Sequence, residues 1–248
     1  MYFKSKINKK KIEKITPGLY IVSTPIGNLE DITLRAIRIL KNSNFILCED
    51  TRWSSKLLSH YKINNKLISY HKYNERTIAG KVVNLIKKNN IISLISDAGT
   101  PTISDPGLLL INHCIQEKIN VFPVPGPSAV TSAISVSGFD DKYIFYGFPP
   151  KTENDVNKML KILCNLDYSI VFFIPAKKIN FFLRKFKEYF LNRKIFIAKE
   201  MTKIYESSIR GNVESINDLS PSLKGELTVI LSKKTKHIKK EIAETVKL

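Results

Sequence analysis

The stretch IISLISDAGTPTISDPGLLLINHCIQEKINVFPVPGPSA (91–129) holds one full turn of a repeating pattern. It opens on a short apolar run, Ile91–Ile95, and passes through a loop crowded with glycine, proline and hydroxyl groups (96–107). The helix-like segment Leu108–Glu117 follows, then a second apolar run, Val121–Val124, and a second proline-rich turn, PVPGPSA (123–129). Two short apolar runs joined through one helical segment read as a βαβ unit.

The same alternation extends toward the N-terminus. Apolar runs recur at Leu19–Val22 and Phe45–Cys48. Between the runs lie Ile32–Lys41, with Leu34, Ile37 and Leu40 at three-residue steps, and Thr77–Lys88, with Ile78, Val82, Leu85 and Ile86 on one face. Repeated βαβ units predict a mostly parallel sheet, and right-handed crossovers bring every strand's C-terminal end to one edge. From about Asp140 the texture changes. Strand-like runs at 143–148, 169–174, 194–198, 205–209 and 226–232 are spaced by helix-like segments at 153–164 and 177–190, and the aromatics of FFLRKFKEYF (181–190) fall at core spacing. The expected organisation is a basic N-terminal extension (1–17), an N-terminal α/β domain (18–125), a C-terminal α/β domain (126–232) and a basic tail (233–248).

With 248 residues, 43% of them hydrophobic, the chain is large enough for two cores. No apolar run approaches the roughly 20 residues of a spanning helix, and the basic start MYFKSKINKKKIEKI lacks the apolar centre of a signal peptide. A cytoplasmic protein without a membrane partner is expected. Three cysteines, Cys48, Cys114 and Cys164, cannot all pair within the chain, which fits a reducing compartment. The four histidines show no metal-ligand spacing, so no metal is expected. The net charge of +18 favours a nucleic-acid partner. Two features discount it. Lysine outnumbers arginine 33 to 7, a compositional skew, and half the excess lies in residues 1–14 and 233–248.

Eight of the ten glycines and nine of the eleven prolines precede residue 151, clustered at strand ends: TPIGN (24–28), SDAGTPTISDPG (96–107) and PVPGPSA (123–129). Three such loops meeting at one sheet edge form a ligand site. Glycine lets backbone approach a ligand, proline stiffens the loop, and Ser128 is placed to cap a helix over 129–137. None of them matches GxGxxG or GxxxxGK[ST], which argues against a standard dinucleotide or P-loop site.

The ordered set TPIGNLEDITLRAIRIL, CEDTR, SDAGTPTISDPG, PGPSA and YGFPPK closely resembles the ribosomal RNA small subunit methyltransferase I family of tetrapyrrole-methylase (class III) enzymes. More weakly, KEMTK (199–203), IRGNV (209–213) and KGELTVIL (224–231) continue the likeness. The resemblance implies two α/β domains with an active-site cleft between them, a homodimer, S-adenosylmethionine as cofactor, and 2′-O-methylation of a cytidine ribose in the decoding region of 16S rRNA within the 30S subunit. Carried onto this chain, it implies cofactor contacts at Pro25, Asp97, Gly99, Thr100, Ser128 and Ala129, and in the second domain at Phe173, Met201 and Thr228.

A ribose hydroxyl needs its proton accepted. Glu49, Asp50 and Asp105 are the candidate bases, and Asp31 is a weaker one that doubles as a helix cap. Arg52, Lys177, Lys199 and Lys203 are candidate RNA contacts, and His71 is a further residue that can reach substrate. Two departures from the family touch the substrate side. Ala176 and Lys177 stand where histidine and arginine are usual, and Trp53 follows Arg52 where a histidine is common. The competing readings are a methyltransferase of the same fold acting on a tetrapyrrole or a protein side chain, and a non-catalytic RNA-binding ribosome-assembly factor.

Overall fold

The computed structural model describes residues 14–220 and 222–234. Most of the basic N-terminal extension and of the basic tail, 1–13 and 235–248, lies outside the described residues. The chain divides into two compact units at Ser128/Ala129.

In the first unit five parallel strands, β1 (Gly18–Val22), β2 (Phe45–Cys48), β3 (Lys66–Ser69), β4 (Ile91–Leu94) and β5 (Val121–Val124), stand in the order β3-β2-β4-β1-β5. Four helices connect them: α1 (Leu34–Asn42), α2 (Thr51–His60), α3 (Glu75–Lys87) and α4 (Leu108–Gln116). Because side chains alternate along a strand, each strand feeds two cores. Leu19, Leu47, Ile92 and Leu94 pack on Ala79, Val82, Val83 and Ile86 of α3 and on Leu110 and Cys114 of α4. Tyr20, Val22, Ile46 and Cys48 pack on Ala36, Ile39 and Leu40 of α1 and on Leu58 of α2. The result is a three-layer sandwich.

Strand order fixes where the loops open. From β1 the chain leaves by α1 on one face, and from its neighbour β4 it leaves by α4 on the opposite face. Their C-terminal loops therefore diverge, which makes β1/β4 the topological switch point of the sheet.

The second unit pairs β6 (Tyr143–Gly147), β7 (Ser169–Pro175), β8 (Lys194–Lys199), β9 (Ser207–Asn212) and β10 (Glu226–Leu231) in the order β6-β7-β10-β8-β9. Only β6 and β7 run parallel. One face packs against α6 (Glu153–Leu163) and α7 (Ile179–Tyr189), where Phe182, Phe186 and Phe190 from the aromatic run are buried. The other face packs against α5 (Ala129–Ser137) through Val130 and Ala133.

Three expectations need correction. The strand expected over 205–209 is β9, shifted to Ser207–Asn212, because Tyr205 lies in the connection from β8. Helix α1 begins at Leu34, not Ile32, and its cap is Thr33, whose Oγ1 accepts from Ala36 N at 3.0 Å. Asp31 lies in a short 3₁₀ turn, Leu29–Asp31, instead. Helix α2 belongs to no segment read as helical in the sequence, since TRWSSKLLSH has few apolar residues and only Ser54 and Leu58 of it are buried.

Candidate active site at the C-terminal edge of the first sheet

Loops following β1, β4 and β5 are tied to one another at the switch point. Thr24 and Gly99 exchange backbone hydrogen bonds, Thr24 N to Gly99 O at 2.9 Å and Gly99 N to Thr24 O at 3.0 Å. Ser23 N donates to Val124 O at 3.2 Å. Below them, the Thr100 hydroxyl donates to Pro127 O at 3.1 Å and lies 2.9 Å from the Ser23 hydroxyl. Thr24 Oγ1 donates to Ser96 O at 3.1 Å. Thr100 is thus a brace joining three loops. The bracing roles of the Ser23 and Thr24 hydroxyls were not singled out from the sequence, and their one signal is position, Ser23 directly before and Thr24 at the start of the first glycine- and proline-rich loop.

The loops approach backbone to backbone. A Cβ on Gly126 would sit 2.9 Å from the Ser23 Cβ, and one on Gly99 (φ +80°) would meet Ile26 Cγ2 at 3.3 Å. Residues Thr102 and Ser104 also hold positive φ, 72° and 69°, a conformation that costs a non-glycine residue energy and persists where surroundings impose it. The loop ends on Gly107 at φ +136°, where a Cβ would overlap Leu94 Cδ2 at 2.7 Å and Thr102 Cγ2 at 2.8 Å. Gly107→Ala is therefore expected to cost about 1–3 kcal/mol, read as a shifted urea midpoint at unchanged slope.

Asp97 rises from this floor as an exposed residue. Desolvation lifts its carboxyl above the usual aspartate range and the Asp50 carboxylate adds to that, while a hydrogen bond from Asp50 N to Asp97 Oδ1 at 3.4 Å opposes it. Pro25 lies in the adjoining loop, and Ser128 immediately precedes α5.

The structure gives Asp50 a different role from the one expected of a base. It caps α2, accepting from Arg52 N at 2.8 Å and Trp53 N at 3.4 Å. The Arg52 guanidinium also forks onto it, at 3.2 Å and 2.9 Å. The Arg52 side chain's hydrogen bonds lead the effects that hold its pKa down at about 2, so it is a poor proton acceptor at neutral pH. Glu49, half-buried at the end of β2, makes no side-chain hydrogen bond or ion pair with another described residue. Asp105 sits half-buried within the 96–107 loop.

In the second unit, Phe173 and Thr228 are cross-strand partners on β7 and β10. Phe173 and Met201 pack against the cluster under α5, the helix that begins at Ala129. Thr228 alternates with the opposite-facing Leu227 and Val229, so it lies on that same sheet face. Lys177 is exposed in the 3₁₀ turn after β7, and Lys199 ends β8. Lys203 pairs with Glu200 at 3.3 Å, which occupies part of the charge expected for RNA. Ala176, at the altered position, is buried in the core with its N–H on Gly225 O at 2.9 Å. Among the described residues no group of three or more His, Cys, Asp or Glu could hold a metal, and no helix is long and apolar enough to cross a membrane.

Residues 18–217 match the family model of Tetrapyrrole (Corrin/Porphyrin) Methylases. The chain is 43% identical over 218 residues to Ribosomal RNA small subunit methyltransferase I of Rickettsia prowazekii, covering 87% of this chain and 78% of that one. Its identity to the protein of the same name from Thermotoga maritima is 44% over 219 residues, covering 87% and 98%. The chain belongs to the ribosomal RNA small subunit methyltransferase I family. It is thereby a methyltransferase with the tetrapyrrole methylase fold. That fold is shared with uroporphyrin-III C-methyltransferase from Thermus thermophilus, solved with S-adenosylhomocysteine, at TM-score 0.59 and 14% identity over 87% of this chain and 97% of that one.

Proposed function

We propose that this chain transfers a methyl group from S-adenosylmethionine to a cytidine ribose 2′-oxygen in the decoding region of 16S rRNA, within the 30S subunit, and that it works as a cytoplasmic homodimer. The observation that carries the reading is the hydrogen-bonded convergence of three loops at the switch point with Asp97 on its rim, in a chain of this family.

The residues fit the cofactor. Close-packed backbone at Gly99 and Gly126 leaves a floor of peptide groups, and an exposed carboxylate at Asp97 suits a ligand bearing hydroxyls, an ammonium and a sulfonium. Pro25, Gly99 and Ser128 line the same loops, with Thr100 as their brace. On the second unit, Phe173, Met201 and Thr228 share the sheet face on which α5 packs, and the family resemblance is what makes them the proposed second-unit contacts. S-adenosylmethionine supplies an already electrophilic methyl group. The chain's own task is to hold the acceptor hydroxyl in line and take its proton. Of the adjacent pair Glu49 and Asp50, Glu49 is the better suited to that proton, because Asp50 is committed to α2 and Arg52; Asp105 is the second candidate. Lys177 and Lys199 are the proposed second-unit contacts to RNA phosphate.

Asp97→Ala is expected to weaken S-adenosylmethionine binding about 10- to 100-fold, the worth of a charged hydrogen bond, measured by calorimetry. The ionised carboxylate is the binding form, and its pKa is raised. Affinity in the parent should therefore fall, as pH is lowered, at a higher pH than an ordinary aspartate would give. Unchanged affinity in the variant would remove Asp97 from the site. The function itself is tested by transfer of labelled methyl to 30S subunits that lack the modification, with tetrapyrroles and total protein as alternative acceptors.

A further inference from the structure

The C-terminal edge of the first sheet carries two large rings that the fold leaves in solvent. Trp53 is 57% exposed and Tyr73 84%, although aromatic rings are the residues a core gains most by burying. Trp53 lies in the first turn of α2, directly after β2, and Tyr73 in the turn between β3 and α3. β2 and β3 are neighbours, paired from Phe45↔Lys66 to Cys48↔Ser69. Tyr70 N continues the ladder onto Cys48 O at 2.8 Å, so the two turns leave the sheet side by side.

Both rings are anchored. The indole Nε1 of Trp53 donates to Asp97 O at 3.3 Å, which ties it to the 96–107 loop. Tyr73 N donates to His71 Nδ1 at 3.3 Å, and the two rings meet edge-on with centroids 6.0 Å apart. Each ring also has its own cation, Lys56 Nζ 5.8 Å from the Trp53 centroid and Lys72 Nζ 4.9 Å from that of Tyr73. Arg52, its side chain 89% exposed, lies beside Trp53 with its guanidinium forked onto Asp50, so a phosphate there would compete with that carboxylate.

Exposed rings with ammonium groups beside them are how proteins grip single strands. Bases stack on the ring faces and the cations take the phosphates. A protein-binding surface would be poor in lysine. We propose that Trp53 and Tyr73 form a stacking platform for unpaired bases of single-stranded RNA beside the target nucleotide, with Lys56, Lys72 and Arg52 on the adjoining phosphates. The proposal rests on the reading of RNA as substrate and deepens it. It gives a role to Trp53, the residue that departs from the family's usual histidine, and it sets the Trp53 end of the platform against Asp97, the residue proposed to hold the cofactor.

Trp53 is the single tryptophan of the chain, so its fluorescence reports stacking directly. The full chain is titrated with an end-labelled single-stranded oligoribonucleotide of about ten mixed C and A residues, and both tryptophan emission and label anisotropy are followed. Quenching should track the anisotropy rise. Trp53→Ala and Tyr73→Ala should each weaken binding about 5- to 100-fold, while Trp53→Phe and Tyr73→Phe recover most of it. In methyl transfer the loss should fall on the KM for RNA. Tyr73→Ala, which has no hydrogen bond to the 96–107 loop among the described residues, should leave cofactor affinity intact, whereas Trp53→Ala also loses the hydrogen bond to Asp97 O. Anisotropy that rises without quenching, or alanine variants that bind like the parent, would overturn the platform, and methyl transfer to rRNA by the parent would then leave the substrate reading standing. A parent that neither binds RNA nor methylates it would overturn both.

Discussion

Glu49→Gln should lower methyl transfer about 10²–10⁴-fold, the usual worth of a positioned base, with cofactor affinity unchanged. The expectation comes from comparing neighbours. Asp50 follows directly in sequence, but its two oxygens serve the α2 amides and the Arg52 guanidinium, and its pKa of about 2 makes it a weak base. The Glu49 carboxylate has no side-chain partner among the described residues and stands at the sheet edge that carries Asp97. Glutamine keeps its size and its hydrogen-bonding reach but takes no proton. The corresponding Asp50→Asn change should act chiefly on α2, through the lost cap and ion pair. Full turnover in Glu49→Gln, measured under single-turnover conditions, would move the base elsewhere.

Arg193→Met should destabilise the chain by about 3–5 kcal/mol, since each stranded buried acceptor costs about 1–3 kcal/mol. Arg193 is 2% exposed. Its guanidinium donates to Tyr168 O at 2.8 Å, Ser232 O at 2.9 Å and Cys164 O at 3.4 Å, and also to Leu166 O. The same group lies over the Phe190 ring, 5.0 Å from its centroid. One side chain thus closes the end of α6, the entry to β7, the exit of β10 and the end of α7. Burial lowers its pKa from the ordinary arginine value, so the charge is held there against desolvation by these carbonyls. Methionine fills the volume and leaves them without donors. Lysine has three donors on a flexible stem instead of a planar fork and should recover little. Urea unfolding followed by circular dichroism measures the shift, and a midpoint equal to the parent's would show the cluster to be dispensable.

The central strands of the first sheet are legible because they are buried on both faces and so read as short apolar runs, as at Gly18–Val22 and Phe45–Cys48. The edge strand Lys66–Ser69, exposed to half-buried along its length, is not among those runs. The loops of the site are legible for a related reason. Glycine and proline concentrate where backbone must turn left-handed or approach closely, as at Gly99, Gly107 and Gly126. What escaped the sequence reading is what depends on distant partners. Strand β9 is exposed along its length and pairs only with β8, so no alternation marks its start. Helix α2 has its identity in a cap, Asp50, that looks like any loop acid in sequence. The braces at Ser23 and Thr100 lie 77 residues apart, a separation no local pattern reveals. Asp50 itself shows the limit for catalytic assignment: the residue type announces a carboxylate, but only its partners decide whether that carboxylate is free to take a proton.

The chemical position of the transferred methyl separates ribose methylation from every alternative. Label from S-adenosylmethionine is incorporated into 30S subunits lacking the modification, and the 16S rRNA is digested with alkali, which cannot cleave beside a 2′-O-methylated ribose. Label is expected in an alkali-resistant dinucleotide whose 5′ nucleoside is cytidine. Label released in a mononucleotide, as a base-methylated product would be, or label found on protein instead of RNA, would contradict it.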